Sequence, residues 1–163
     1  MKVRGSREKE FIKKAFIYFD GIIMMNVDVK GLVAGRVATK IAKALINGEN
    51  VIVINAENAI IVGNKENIMQ KYKMRVDAAV KSNPHYGPKY SRVPSSIFKR
   101  MVRNMLPTKG STKDKMIKKL KVYNATPKEL AKEKMQEFME YKCNERHSYM
   151  TLKEIALQLG GRW

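Results

Sequence analysis

The sequence predicts an α/β protein built on a parallel sheet covered on both faces, and three observations carry that prediction. The run 24-MMNVDV-29 is short, apolar and supplied with β-branched valines, so it reads as a strand. After Gly31, the residues Val33, Val37, Ile41 and Leu45 recur every four positions with Ala34, Ala38 and Ala42 beside them, which gives a helix one apolar face. The run 51-VIVIN-55 is apolar without alternation, as in a strand buried on both sides. Strand, helix and strand within about thirty residues make a βαβ unit.

The first helix keeps Arg36, Lys40 and Lys43 off its apolar face and stops at Asn47-Gly48. A shorter strand, 59-AIIVG-63, precedes Asn64, an N-cap residue. The helix beyond it carries Ile68, Tyr72, Val76 and Ala79 on one side, with Lys65 at its start and Lys71, Lys73 and Arg75 elsewhere. The stretch 82-SNPHYGPKYSRVPS-95 has three prolines and a glycine and is read as an extended loop. Pro94 then opens a helix with Ile97, Phe98, Met101, Val102 and Met105 inward and Lys99, Arg100 and Arg103 outward, ended by Pro107. Ser111 or Thr112 caps a short helix containing Met116, Ile117 and Leu120, and 121-KVY-123 reads as a last strand. Thr126-Pro127-Lys128-Glu129 and Thr151-Leu152-Lys153-Glu154 both fit a capping box, so two further helices are expected. No internal repeat is visible.

The charge balance narrows the function. Thirty-three Lys and Arg against 15 Asp and Glu leave +18 on 163 residues, an excess that calls for a polyanionic partner. The excess is concentrated. Between Lys89 and Lys121 eleven basic residues face one acid, Asp114, giving +10 in 33 residues. The segment from Lys128 to Lys142 balances four lysines with four glutamates, as a solvated helix does. A membrane is not the expected partner: 15-AFIYFDGIIMMNV-27 is broken by Asp20 and Asn26, and no small-residue cleavage site marks a secretory signal.

Catalytic signatures are missing from the sequence. The stretch 105-MLPTKGSTKDKMIKKLKVY-123 resembles a phosphate loop at first sight, but it lacks the first glycine and the lysine of G-x-x-x-x-G-K-[ST]. Gly31-x-x-x-Gly35 lacks the dinucleotide spacing and reads as a tight strand-to-helix turn. Cys143 is the sole cysteine, which fits a reducing, cytoplasmic setting, and with His85 and His147 it makes no familiar zinc spacing. No cofactor, metal or small-molecule substrate is expected. What remains is nucleic acid. Tyr86, Tyr90 and Arg92 on a proline-stiffened loop suit stacking on unpaired bases, while Lys89, Lys99, Arg100, Arg103 and Lys113 suit phosphates.

The blocks "DVKGLVAGRVATKIAKAL", "VIVINAENAIIVGNK", "IFKRMVRNMLPTKG" and "KKLKVYNATP" resemble, in order, signatures of the thirteenth universal large-subunit ribosomal protein, the L-thirteen family. The resemblance spans about Asn26 to Pro127, and the ending "MTLKEIALQLGGRW" resembles the archaeal branch. It implies a three-layer α/β/α fold around a four-stranded parallel sheet, with basic RNA-binding loops and C-terminal helices. It also implies a non-enzymatic constituent of the large ribosomal subunit that binds ribosomal RNA, supports assembly and touches neighbouring ribosomal proteins in the cytoplasm. Carried over by motif, Arg36 lies in the first block and Lys65 in the second. Arg100, Arg103, Lys109 and Gly110 lie in the third, and Lys118, Lys119 and Lys121 in the fourth. Residues 1–24 stand outside the family's usual span. They are expected to be a dispensable extension or the product of an early start codon, with 25–163 one domain and 126–163 its variable helical end. Two rival classes are a free-standing RNA-binding regulator and a small nucleotide-using α/β enzyme; the enzyme would need a phosphate loop or an acid–base pair.

Overall fold

The computed structural model describes residues 17–19, 22–78, 82–83, 85–107, 112–128, 130, 135–136, 138–143 and 148–163. Strand β1 (Ile17–Phe19) leads into β2 (Ile22–Asp28), helix α1 (Ala34–Ile46) and β3 (Asn50–Ile54). A short 3-10 turn, Ala56–Asn58, precedes β4 (Ile60–Val62) and α2 (Lys65–Asp77). Then come α3 (Pro94–Met105), α4 (Thr112–Lys118) and β5 (Leu120–Val122), and finally β6 (Tyr149–Thr151) and α5 (Leu152–Gln158).

The βαβ unit forms as the sequence predicts. β2 pairs in parallel with β3, Met25 opposite Val51 and Val27 opposite Val53, and β3 pairs in parallel with β5, Val51 opposite Leu120. Met25, Val27, Val51, Val53 and Leu120 join the main core with the apolar faces of α1 and α3. The other face of β3 is covered too: Ile52 is 7% exposed and Ile54 2%. That two-sided burial is why 51-VIVIN-55 does not alternate.

Among the described residues the main sheet has four strands in the order β1-β2-β3-β5, of which three are parallel and β1 is antiparallel. The expected strand at 59–63 leaves it and pairs antiparallel with β6, Ile61 opposite Met150. The reason is chain length. Only 55–59 separate β3 from β4, whereas a parallel crossover needs about a dozen residues. Asn55 adopts the left-handed conformation (φ 57°) and starts the 3-10 turn that carries the chain out of the sheet. The position beside β2 is shared instead. β1 pairs antiparallel with Ile22–Met24, and Gln136 makes a single parallel bridge to Val27. Ile17–Phe19, within the stretch expected to be a dispensable extension, is therefore tied to the sheet as a strand.

Capping chemistry sorts the helices. Asn64 accepts from the Glu66 N–H at 3.0 Å and starts α2. Thr151 and Glu154 close the predicted reciprocal box and start α5. α5 ends on Gly160 (φ 74°), with the Gly161 N–H donating to the Ala156 carbonyl at 2.8 Å and the Gly160 N–H to Leu157. At the second expected box the Thr126 hydroxyl donates to Asn55 Oδ1 at 2.9 Å, and Leu130 closes a turn on Pro127. Glu129 and residues 131–134 lie outside the described residues. Leu120, read as part of the helix at 112, is the buried first residue of β5.

Candidate nucleic-acid interface

The basic segment folds into the walls of a cleft. Pro94 sits at the first position of α3, and Asn124 Oδ1 accepts from the Ser95 N–H at 2.9 Å, satisfying one of the free donors of the first turn. Ile97, Phe98 and Val102 are buried, so the opposite stripe carries Lys99, Arg100 and Arg103 outward. Met105, expected inward, is 42% exposed and receives the Thr39 hydroxyl at its sulfur.

Arg100 clasps the loop before its own helix. Its guanidinium lies 3.8 Å from the centroid of the Tyr90 ring, and its Nη1 donates to the Lys89 carbonyl at 2.9 Å. Across the cleft, the Arg75 guanidinium stands 5.5 Å from the Tyr72 ring. Burial pushes the Tyr72 hydroxyl above its usual pKa, and the Arg75 charge opposes the rise. α4 contributes Lys113 and Asp114, and Asp114 meets Arg103 at 3.7 Å.

Together these elements enclose a cavity of about 690 Å³ lined by Arg75, Lys89, Lys99, Arg100, Arg103 and Lys113, against the single carboxylate of Asp114. Six cations around one acid make a site for a polyanion, and two tyrosines in the wall give bases a surface to stack on. Among the described residues, no group of His, Cys, Asp and Glu is placed to hold a metal, and no helix is long and apolar enough to cross a membrane.

Residues 23–129 match the family model described as Ribosomal protein L13. The chain belongs to the ribosomal protein L13 family. It is 39% identical over 139 residues to the large ribosomal subunit protein uL13 of Archaeoglobus fulgidus, covering 83% of this chain and 87% of the relative. It is 41% identical over 138 residues to that of Methanosphaera stadtmanae, covering 84% and 97%. The same protein of Methanocaldococcus jannaschii is 35% identical over 141 residues, covering 86% and 100%. All six cleft cations fall inside the span that matches the L13 family.

The structure divides the remaining candidates. Lys71 lines a second cavity on the far side of the cleft, which shares Arg75 and Tyr90 with the first. Arg92 is exposed and lies against the turn after α5: a Cβ on Gly160 would stand 3.6 Å from its Nη1. Tyr86 is 87% exposed. Lys65, Lys73, Arg36, Lys118 and Lys121 are exposed on α2, α1, α4 and β5 and line neither cavity. Lys119 is exposed and its Nζ donates to the Gly48 carbonyl at 2.8 Å, against the turn after α1. Lys109 and Gly110 lie outside the described residues, as does His147. Sequence reasoning missed Tyr72, treating it as ordinary core. The signal was the Tyr72–Arg75 spacing, since residues three apart on a helix are neighbours.

Proposed function

We infer that this protein is a structural, non-enzymatic constituent of the large ribosomal subunit, placed in the cytoplasmic ribosome and binding large-subunit ribosomal RNA during assembly and translation. Family membership is the observation that carries the reading; the six-cation cleft within the matched span supports it on physical grounds. The RNA backbone runs along the cleft between α2, α3 and α4, with Arg75, Lys89, Lys99, Arg103 and Lys113 meeting phosphates and Arg100 holding the loop that completes the wall. Lys71, Lys73, Tyr86, Arg92, Arg36, Lys65, Lys118 and Lys121 extend the contact over the exposed surface, and Lys109 and Gly110 belong to it by motif. Neighbouring ribosomal proteins meet the faces that RNA leaves open. The three-layer arrangement belongs to the same reading, supported by the burial of both faces of β3.

Sedimentation through a sucrose gradient tests the assignment: the native protein should travel with the large subunit and stay there after a moderate salt wash. Its appearance only among free soluble proteins would overturn the reading. Binding to the RNA should also weaken with salt. The five cleft contacts to phosphate alone give a slope of log K against log salt of about −3.5 to −4.5. A slope near zero would mean that the cleft is not the interface.

A further inference from the structure

The second cavity is unlike the first. It is a shallow, open groove of about 560 Å³ on the surface. Its floor is a single stripe of α2, where Asn67, Gln70, Met74 and Ala78 recur at helical spacing, and its opposite wall is the loop at Pro88 and Tyr90. Met74 is 64% exposed on a helix whose one buried residue is Ile68, so its thioether is not a core group. Tyr90 lines both cavities, whereas Arg100, which covers one side of its ring, lines only the first. The ring is thus a partition, with the basic cleft on one side and an apolar slot on the other.

We propose that this slot receives one unpaired, extruded base of the RNA whose backbone occupies the neighbouring cleft; the proposal rests on the RNA-binding reading given above. The chemistry fits a nucleobase. Tyr90, Pro88 and Met74 offer flat or soft apolar contact to its faces, and unpaired bases are recognised in RNA by such stacking. The Asn67 and Gln70 amides each present a donor and an acceptor, which a base edge complements. Lys71 and Arg75 stand at the rim, where the flanking phosphates would enter, and Arg75 borders both cavities. Charge favours RNA over a polypeptide as occupant: the slot opens beside six cations on a chain of net +18.

Base-specific chemical probing of large-subunit ribosomal RNA bound to the full-length protein tests the proposal. The wild type should protect one unpaired base at its pairing edge. The variant Asn67→Ala with Gln70→Ala should lose that protection while the footprint on the backbone persists. Met74→Glu, which sets a carboxylate in the slot, should weaken binding by about tenfold, the size of one lost stacking contact. A backbone footprint with no base whose reactivity differs between wild type and either variant overturns the proposal. So does a photo-cross-link from position 74 that reaches a neighbouring polypeptide and not RNA. No footprint from the wild type would instead overturn the RNA-binding reading itself.

Discussion

Replacing Arg100 by lysine separates holding the loop from binding RNA, because the charge survives and the geometry does not. The guanidinium stacks at 3.8 Å on Tyr90 and donates at 2.9 Å to the Lys89 carbonyl, so it closes a link between α3 and the loop eleven residues earlier. A cation over tyrosine at an exposed site contributes about 0.5–1 kcal/mol. A solvent-accessible hydrogen bond adds a net of about 0.5–1.5 kcal/mol. Lysine retains part of the first and lacks the planar fork that makes both contacts at once. The expected loss is about 1–2 kcal/mol, or a fall in Tm of about 2–8 °C for a domain of this size. Hydrogen exchange should locate the change. Amides between Tyr86 and Val93 should exchange faster, whereas those of β3 should slow or quicken only with global stability. RNA affinity should fall as the loop loosens, with the salt slope unchanged because no cation has been removed. Unchanged Tm and unchanged loop exchange would refute the reasoning and make Arg100 a direct phosphate ligand. Arg103 is the contrast: its side chain is 57% exposed and its Asp114 partner 68%, so Arg103→Ala should leave Tm almost unmoved.

Three other perturbations follow from named contacts. Gly161→Ala should destabilise the protein by about 1–3 kcal/mol, because a Cβ there collides with the Arg92 carbonyl and stands 2.9 Å from the Ala156 carbonyl; thermal melting checks it. Tyr72 is held neutral by burial, so its folded pKa exceeds the ordinary 10.0 and the stability it contributes is complete below that value. That contribution should be lost as pH rises through the raised pKa, and Tyr72→Phe should flatten this alkaline limb in urea titrations. A chain starting at Met25 should still unfold cooperatively and bind RNA, since β1 pairs only with Ile22–Met24 while Met25 to Asp28 keep their pairing with β3; insolubility or failure to enter subunits would count against it.

The central sheet was legible because burial leaves a mark on composition. A strand covered on both faces cannot alternate, and 51-VIVIN-55 does not; a helix with one core face repeats every three to four residues, and Val37, Ile41 and Leu45 do. What stayed illegible were pairings fixed by geometry across the chain. Nothing local in Ile60–Val62 says that its partner is Tyr149–Thr151, ninety residues away, although the five-residue link from β3 already excluded a parallel neighbour. Nothing in Gln136 says that it bridges β2. Capping patterns were equally double-valued. Thr151 and Thr126 carry the same signature, yet Thr151 closes its reciprocal box with Glu154 while the Thr126 hydroxyl donates to Asn55.

The interface divides along the same line. Charge density pointed to the cleft proposed above, since the +10 between Lys89 and Lys121 supplies five of its six cations. The sixth, Arg75, comes from α2, whose basic residues sequence reading placed off the apolar side without joining them to the cleft. Charge could not assign work among cations. In sequence Arg100, Arg103 and Lys119 are three equivalent positive charges. In space one clasps an aromatic ring, one shares an acid and one ties off a helix turn. The Arg100 clasp fixes its side chain before RNA arrives and so removes rotamer entropy that binding would otherwise have to overcome. The free lysines Lys89, Lys99 and Lys113 still carry that entropy and can follow a phosphate wherever the backbone places it. A loop wall held by Arg100, with mobile lysines along its edge, fits a partner that needs one fixed surface and whose phosphates need only charge.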